Sequence, residues 1–274
     1  MPSTSRLARA VRHRGLPLNA RVGLVRVEVA RRVRPRAAYA LPLGATTILL
    51  SHDGYEIDWA SLAFVAVDEA YAGDYRGAVV VDIGAHKGYY GAYALEHGAR
   101  SVVSYEPETA NFGLLERAAA AVRGKGRRWE TRQAAVGSEG GEAELHVMGA
   151  SWGHALQPPD EFARYEVGLE RVRVAPLADV LAEAVTLAES ARVIVKINIE
   201  GAECPAILGT PPSAWEGVDE LYVETHPWAD CGEGELALHL EPAGFARRET
   251  AHAAVLRLAR ALTSVATPAT SLSP

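Results

Sequence analysis

Four apolar residues and an acid, Val79-Val80-Val81-Asp82-Ile83, run directly into the glycine-punctuated turn Gly84-Ala85-His86-Lys87-Gly88. Glycines at such a turn let the backbone bend sharply and approach a ligand that a Cβ would obstruct. Glu106 ends a second apolar run 24 residues after Asp82. An acid there suits a ribose diol, because carboxylate oxygens only accept and the diol donates twice. A third run ends in Asn198-Ile199-Glu200, and a fourth in Glu224-Thr225-His226. His226, Glu200 and His154 are the candidate bases for an acceptor hydroxyl, since imidazole titrates near neutrality and a base assists as the new bond forms. Each has a structural alternative: Glu200 as a helix cap, His226 at a strand end, His154 on a loop. Glu200 with Glu203, and Glu224 with His226, could also converge on a divalent ion, but acids near helix N-termini are favoured by the dipole alone. No metal is assigned.

These residues share a crevice only if parallel strands bring their ends to one side. Strands are expected at Thr46–Leu50, Glu56–Trp59, 79–82, 101–105, 129–136, 144–148, 193–200 and 220–224, with a turn at 41–44 and a helix over 61–72. Helices alternate with the later strands, for example after Pro176, where Leu177, Val180, Leu181, Ala184, Val185 and Ala188 recur at helical spacing. Phe245–Thr250 and Ala254–Leu258 read as a closing antiparallel hairpin. Residues 149–170 have no clear period and read either as a substrate wall or as a packed loop. The pattern predicts a Rossmann-like, doubly wound α/β sheet with one reversed edge strand and a C-terminal antiparallel hairpin. Its expected divisions are a basic arm or helix over 1–44, an N-terminal layer over 45–77, the main domain over 78–262 and a disordered tail over 263–274.

Composition is that of a soluble globular chain: 274 residues, 49% hydrophobic and 23% charged. No run approaches the roughly 18 apolar residues of a membrane span, and the start lacks the apolar core of a secretory signal. Cys204 and Cys231 are too few for a disulfide framework, so a reducing, cytoplasmic setting is expected. Residues 1–36 hold ten arginines and one acid, a balance of 10 − 1 = +9, and the remainder sums to 18 − 33 = −15. Val22, Val25, Val29 and Val33 at helical spacing suggest a helix docked on the body, rather than an arm for nucleic acid or membrane. Arginine outnumbers lysine 25 to 3 across the chain, so the arginine-rich start is no specific sign of a transit peptide.

A nicotinamide dinucleotide fits this turn poorly, because His86 stands where a second glycine would admit the pyrophosphate. S-adenosylmethionine has a ribose but no phosphate. Val81-Asp82-Ile83-Gly84-Ala85-His86-Lys87-Gly88-Tyr89-Tyr90, then Tyr105-Glu106-Pro107-Glu108, then Val195-Lys196-Ile197-Asn198-Ile199-Glu200-Gly201-Ala202-Glu203 resemble the signature blocks of FkbM-type methyltransferases. The resemblance covers about residues 45–250. It implies a class I S-adenosylmethionine-dependent methyltransferase acting on a hydroxyl of a small molecule such as a polyketide, a sugar or another secondary metabolite. It also implies that Asp82, Gly84 and Gly88 hold the methionine portion, Glu106 the ribose, and Gln133 and Ala134 the adenine edge. His86, Tyr90 and Asn198 complete the expected cofactor-binding set. Asn198 departs from the aspartate usual in the family, which leaves a nitrogen acceptor open beside the oxygen one. The alternative from another class is a basic-armed binding protein with a vestigial cofactor site.

Overall fold

In the computed structural model, which describes residues 8, 10–13 and 15–260, helix α1 (Leu18–Val33) leads into the hairpin β1 (Ala38–Leu43) and β2 (Thr46–Ser51), then helix α2 (Tyr55–Ala66). Helix α1 docks through Ala20, Gly23, Leu24, Val27 and Glu28. A Cβ at Gly23 would lie 2.8 Å from Leu41, so this small-residue face is what lets the helix approach the hairpin. The valine stripe points the other way, into solvent. The partner of β2 is β1, where Tyr39, Leu41 and Leu43 are buried in alternation. Pro42 hides that strand in the sequence, yet a two-stranded ribbon tolerates it because each strand has an outer edge. Residues 56–59 are helical, not a return strand. Their short apolar/polar alternation mimics a strand, but Tyr55, Asp58, Trp59, Leu62, Val65 and Ala66 are buried at helical spacing.

The main sheet begins with β3 (Val79–Ile83), α3 (Tyr89–Glu96), β4 (Ser101–Tyr105), α4 (Thr109–Arg123) and β5 (Arg128–Arg132). Beyond β5 the expected single strand breaks at Gln133-Ala134. β6 (Ala135–Gly137), β7 (Gly141–Met148) and β8 (Glu166–Pro176) form a separate sheet in the order β6-β8-β7. β8 was not expected, because only Val172 is buried and its alternation changes phase between Leu169 and Val172 across Glu170-Arg171. The chain returns through α5 (Leu177–Ala188), β9 (Val193–Ile197), α6 (Glu203–Leu208), β10 (Glu220–Glu224), α7 (Glu233–Leu240), β11 (Phe245–Arg248) and β12 (Val255–Arg260).

The seven strands lie in the order β11-β12-β10-β9-β3-β4-β5. β12 is antiparallel to both of its neighbours, so the reversed strand is second from the edge rather than at it. The order reverses between β3 and β9, and a doubly wound sheet opens its ligand crevice at such a switch point. This is the class I methyltransferase arrangement. Cys204 in α6 is joined to Cys231 by a disulfide with Cα atoms 5.7 Å apart, a pairing that the cysteine count does not suggest. The expected tail over 263–274 lies outside the described residues. Among the described residues no helix is long and apolar enough to cross a membrane.

Gly88 ends the turn after β3 with φ 87°, and a Cβ there would sit 2.8 Å from both Leu115 and Trp129. Its role is therefore to let α3 close on a buried tryptophan. Gly88→Ala should lower stability to urea by about 1–3 kcal/mol, from overpacking and the left-handed backbone together.

Candidate active site

β3 and β9 are buried throughout, and each carries one charge. Asp82 and Lys196 face each other in register on these adjacent parallel strands, with Lys196 Nζ 3.0 Å from Asp82 Oδ1. The same ammonium donates to the carbonyls of Ile83 (3.3 Å) and Gly84 (2.7 Å). One buried cation thus neutralises the acid and holds the turn. Gly84, at φ 73°, lies so close to the Asn198 carbonyl that a Cβ would fall 1.7 Å from it.

The turn then delivers the His86 N–H to Glu106 Oε2 at 2.8 Å, while the Glu108 N–H donates to Oε1 at 3.1 Å. Each oxygen keeps a lone pair for another donor. Burial pushes the Glu106 carboxyl up to about 8, against the pull of these two amides.

The N-terminal layer reaches the same turn through a buried polar network. Asp58 accepts from Lys87 Nζ and from the Ser51 hydroxyl, and Lys87 also donates to Ser151 Oγ at 3.1 Å. Ser151 Oγ lies 3.1 Å from His86 Nε2, and its carbonyl accepts from Asn111 Nδ2 at 2.8 Å. The aperiodic segment is thereby pinned over the turn. Burial holds the His86 imidazole well below its usual range, helped by the neighbouring Lys87, so it is neutral.

These elements enclose one cavity of about 320 Å³. At one end Glu106 and Pro107 meet the apolar Ala134, Val136, Leu145 and Leu156, with Trp152 and His154 alongside. His154 Nδ1 accepts the Met148 N–H at 2.9 Å, which leaves its Nε2 as the protonated nitrogen, and burial keeps the ring neutral. Its Nε2 lies 3.9 Å from Glu108 Oε2.

At the other end Phe64, Val65 and Tyr71 face Asn198, Glu200 and Glu224. Glu224 Oε2 accepts from Tyr71 Oη (2.9 Å) and Asn198 Nδ2 (2.7 Å). Behind Glu200, His226 is buried between two carboxylates, with Nδ1 2.9 Å from Glu203 and Nε2 3.4 Å from Glu200. Burial opposes its charge, but the hydrogen bonds to Glu200 and Glu203 prevail and raise it to about 10. Burial also raises Glu200 above the usual carboxylate range.

Of the residues singled out in the sequence, Gly84, His86, Tyr90, Glu106, Ala134, Asn198, Glu200 and His154 line the cavity. Asp82 lies beneath it, paired with Lys196, and Gly88 is a packing glycine. Gln133 is exposed and bonded to Thr109, so it takes no part in the lining. His226 stands behind Glu200 with both nitrogens engaged by carboxylates and does not face the cavity. Sequence reasoning missed Lys196, Tyr71 and the network of Lys87, Asp58, Ser51 and Ser151. A lone charge in each of two apolar strands was the available signal for the first.

Residues 82–253 match the Methyltransferase FkbM domain, well over half of the chain. The chain belongs to the FkbM methyltransferase family. It is accordingly an S-adenosylmethionine-dependent methyltransferase. The FkbM methyltransferase of Methylobacillus flagellatus KT is similar at 15% identity over 75% of this chain and 60% of that one, with a TM-score of 0.44. A SAM-dependent methyltransferase from Agrobacterium tumefaciens is similar at 7% identity over 81% and 69%, with a TM-score of 0.38. Magnesium protoporphyrin IX methyltransferase from Synechocystis PCC 6803, solved with SAM bound, is similar at 12% identity over 95% and 92%, with a TM-score of 0.36. No curated protein matches the chain.

The cavity of this FkbM-family enzyme suits its cofactor. Asn198 Oδ1 is buried in the lining without a hydrogen-bond partner among the described residues, and the cofactor's ammonium offers a donor of the required kind. Glu106 offers free lone pairs to a ribose diol, and the apolar end a slot for a flat base. A diol that donates to Glu106 binds the ionised carboxylate. Affinity for S-adenosylhomocysteine should therefore weaken roughly tenfold per pH unit below about 8, and Glu106→Gln should remove that slope, as read by calorimetry from pH 6 to 9.

Proposed function

We propose that this FkbM-family enzyme is an O-methyltransferase that alkylates a hydroxyl of a small molecule, such as a secondary metabolite, polyketide or sugar. The observation that carries the reading is Glu200, a largely shielded carboxylate that lines the cavity and is backed by the charged imidazole of His226. The cofactor supplies a methyl group already activated on a sulfonium. Positioning is then the main task, and for an alcohol a base is the second.

Glu200 is the base in this reading. Its oxygen receives the hydroxyl proton as the acceptor oxygen takes the methyl group, and its raised affinity for a proton brings it closer to the operating pH than an exposed glutamate. His226 is a positioning residue: its Nε2 orients the Glu200 carboxylate, and its Nδ1 is fixed by Glu203. Glu224, held by Tyr71 and Asn198, presents a second acceptor to the acceptor's other polar groups. Phe64 and Val65 supply apolar contact and exclude water. Asp82 acts through Lys196.

Glu200→Gln should lower kcat by about 10²–10⁴-fold with S-adenosylhomocysteine affinity changed less than about threefold. Turnover is measured as S-adenosylhomocysteine release across a panel of hydroxylated acceptors, with the methylated atom assigned by NMR. Activity should rise with pH through a carboxyl pKa above the usual range, because the ionised Glu200 is the base. It should fall again above about 10, where His226 loses its proton and releases Glu200. An acceptor amine needs only to be neutral, so full activity in Glu200→Gln together with an N-methyl product would replace this reading with the nitrogen one.

A further inference from the structure

We infer that the outer face of α1 docks the enzyme onto an anionic lipid surface. Eight residues of this helix are exposed: Leu18, Val22, Val25, Val29 and Val33, with Arg26, Arg32 and Asn19. The five aliphatic side chains are between 41 and 70% exposed. At 3.6 residues per turn they fall within an arc of about 80°. Arg21 and Arg32 border that arc on one side and Arg26 on the other. The helix's one acid, Glu28, is turned inward and is paired with Arg31 and Arg32. The exposed face therefore has an apolar centre, cationic edges and no carboxylate. Docking to the body does not require this stripe, because Ala20, Gly23, Leu24 and Val27 already bury the opposite side.

The occupant follows from charge and polarity together. A second copy bringing the same face would set arginine against arginine. Nucleic acid would satisfy the arginines and leave five aliphatic side chains in water. An anionic bilayer surface satisfies both, with the valines entering the headgroup boundary and the arginines reaching up to lipid phosphates. Residues 37–274 sum to −15, so the acidic body is repelled by the same surface, and α1 is the side that such a surface can approach. This mode differs from spanning, for which α1 is too short and too charged.

Co-sedimentation of the full chain with vesicles tests the assignment. Binding should occur to vesicles containing phosphatidylglycerol, not to pure phosphatidylcholine, and should weaken with salt. Removing Arg21, Arg26 and Arg32 together (R21A, R26A, R32A) should weaken it on the order of 100-fold. Val25→Ser with Val29→Ser should weaken it roughly tenfold, with the melting temperature and S-adenosylhomocysteine affinity unchanged because these side chains face solvent. Failure of the wild-type chain to sediment with anionic vesicles would overturn the proposal. So would a valine variant that sediments as well as wild type, which would mean simple adsorption by charge. A concentration-dependent dimer abolished by the valine changes would assign the face to a second copy instead.

Discussion

The buried pair of Asp82 and Lys196 is the constraint from which the site follows. Two charges are placed side by side at the centre of a sheet whose neighbouring positions are aliphatic. Burial of this kind is costly unless the remaining protons and lone pairs find partners, and a pair in a core is weak evidence for stability in itself. Here the extra donors of Lys196 are spent on the carbonyls of Ile83 and Gly84, where β3 gives way to the turn. The pair thereby converts the register of two strands into the position of a loop. The His86 amide then reaches Glu106, and the Gly84 backbone packs against Asn198. Cofactor recognition and the entry to the acceptor end are set by one contact.

Backbone strain gathers around the same cavity. His86 and Glu200 hold positive φ angles of 53° and 54° without being glycine, and Gly201 follows at 99°. Such conformations persist only where surroundings over-determine them. For His86 the surroundings are the Glu106 carboxylate and Ser151; for Glu200 they are His226 and Trp228, whose indole packs where a Gly201 side chain would lie. The disulfide from Cys204 to Cys231 ties α6, which begins with Glu203, to the loop that carries His226 and Trp228. The Glu200 end of the cavity is thus braced by charge, by ring packing and by a covalent link.

Much of this was legible in the sequence because parallel strands read as apolar runs and their ends share one side of the sheet. Glu106, Asn198 and Glu200 could be placed in one crevice on that ground alone. What escaped was set by tertiary partners. Asp58 reads as one polar residue in a strand-like alternation, and only the distant Lys87 and Ser51 make it an inward-facing helical residue. β8 has a weak periodic signal because its alternation slips phase at Glu170-Arg171 and only Val172 is buried. Gln133 and Ala134 are neighbours in sequence, yet the break after β5 turns one outward and the other into the cavity. His226 has the residue type of a base, but two carboxylates placed by folding make it a fixed cation.

The most direct test of the account is the affinity of S-adenosylhomocysteine for the double variant Asp82→Asn with Lys196→Met, measured by calorimetry on protein shown to be folded by circular dichroism. Replacing both charges avoids leaving one of them buried and unpaired, so the fold is retained while the hold on the Ile83 and Gly84 carbonyls is lost. The account predicts binding at least about tenfold weaker than in the wild-type chain, the loss of somewhat more than one charge-assisted hydrogen bond's contribution. Wild-type affinity in the folded double variant would contradict it, because the turn would then be positioned without the pair.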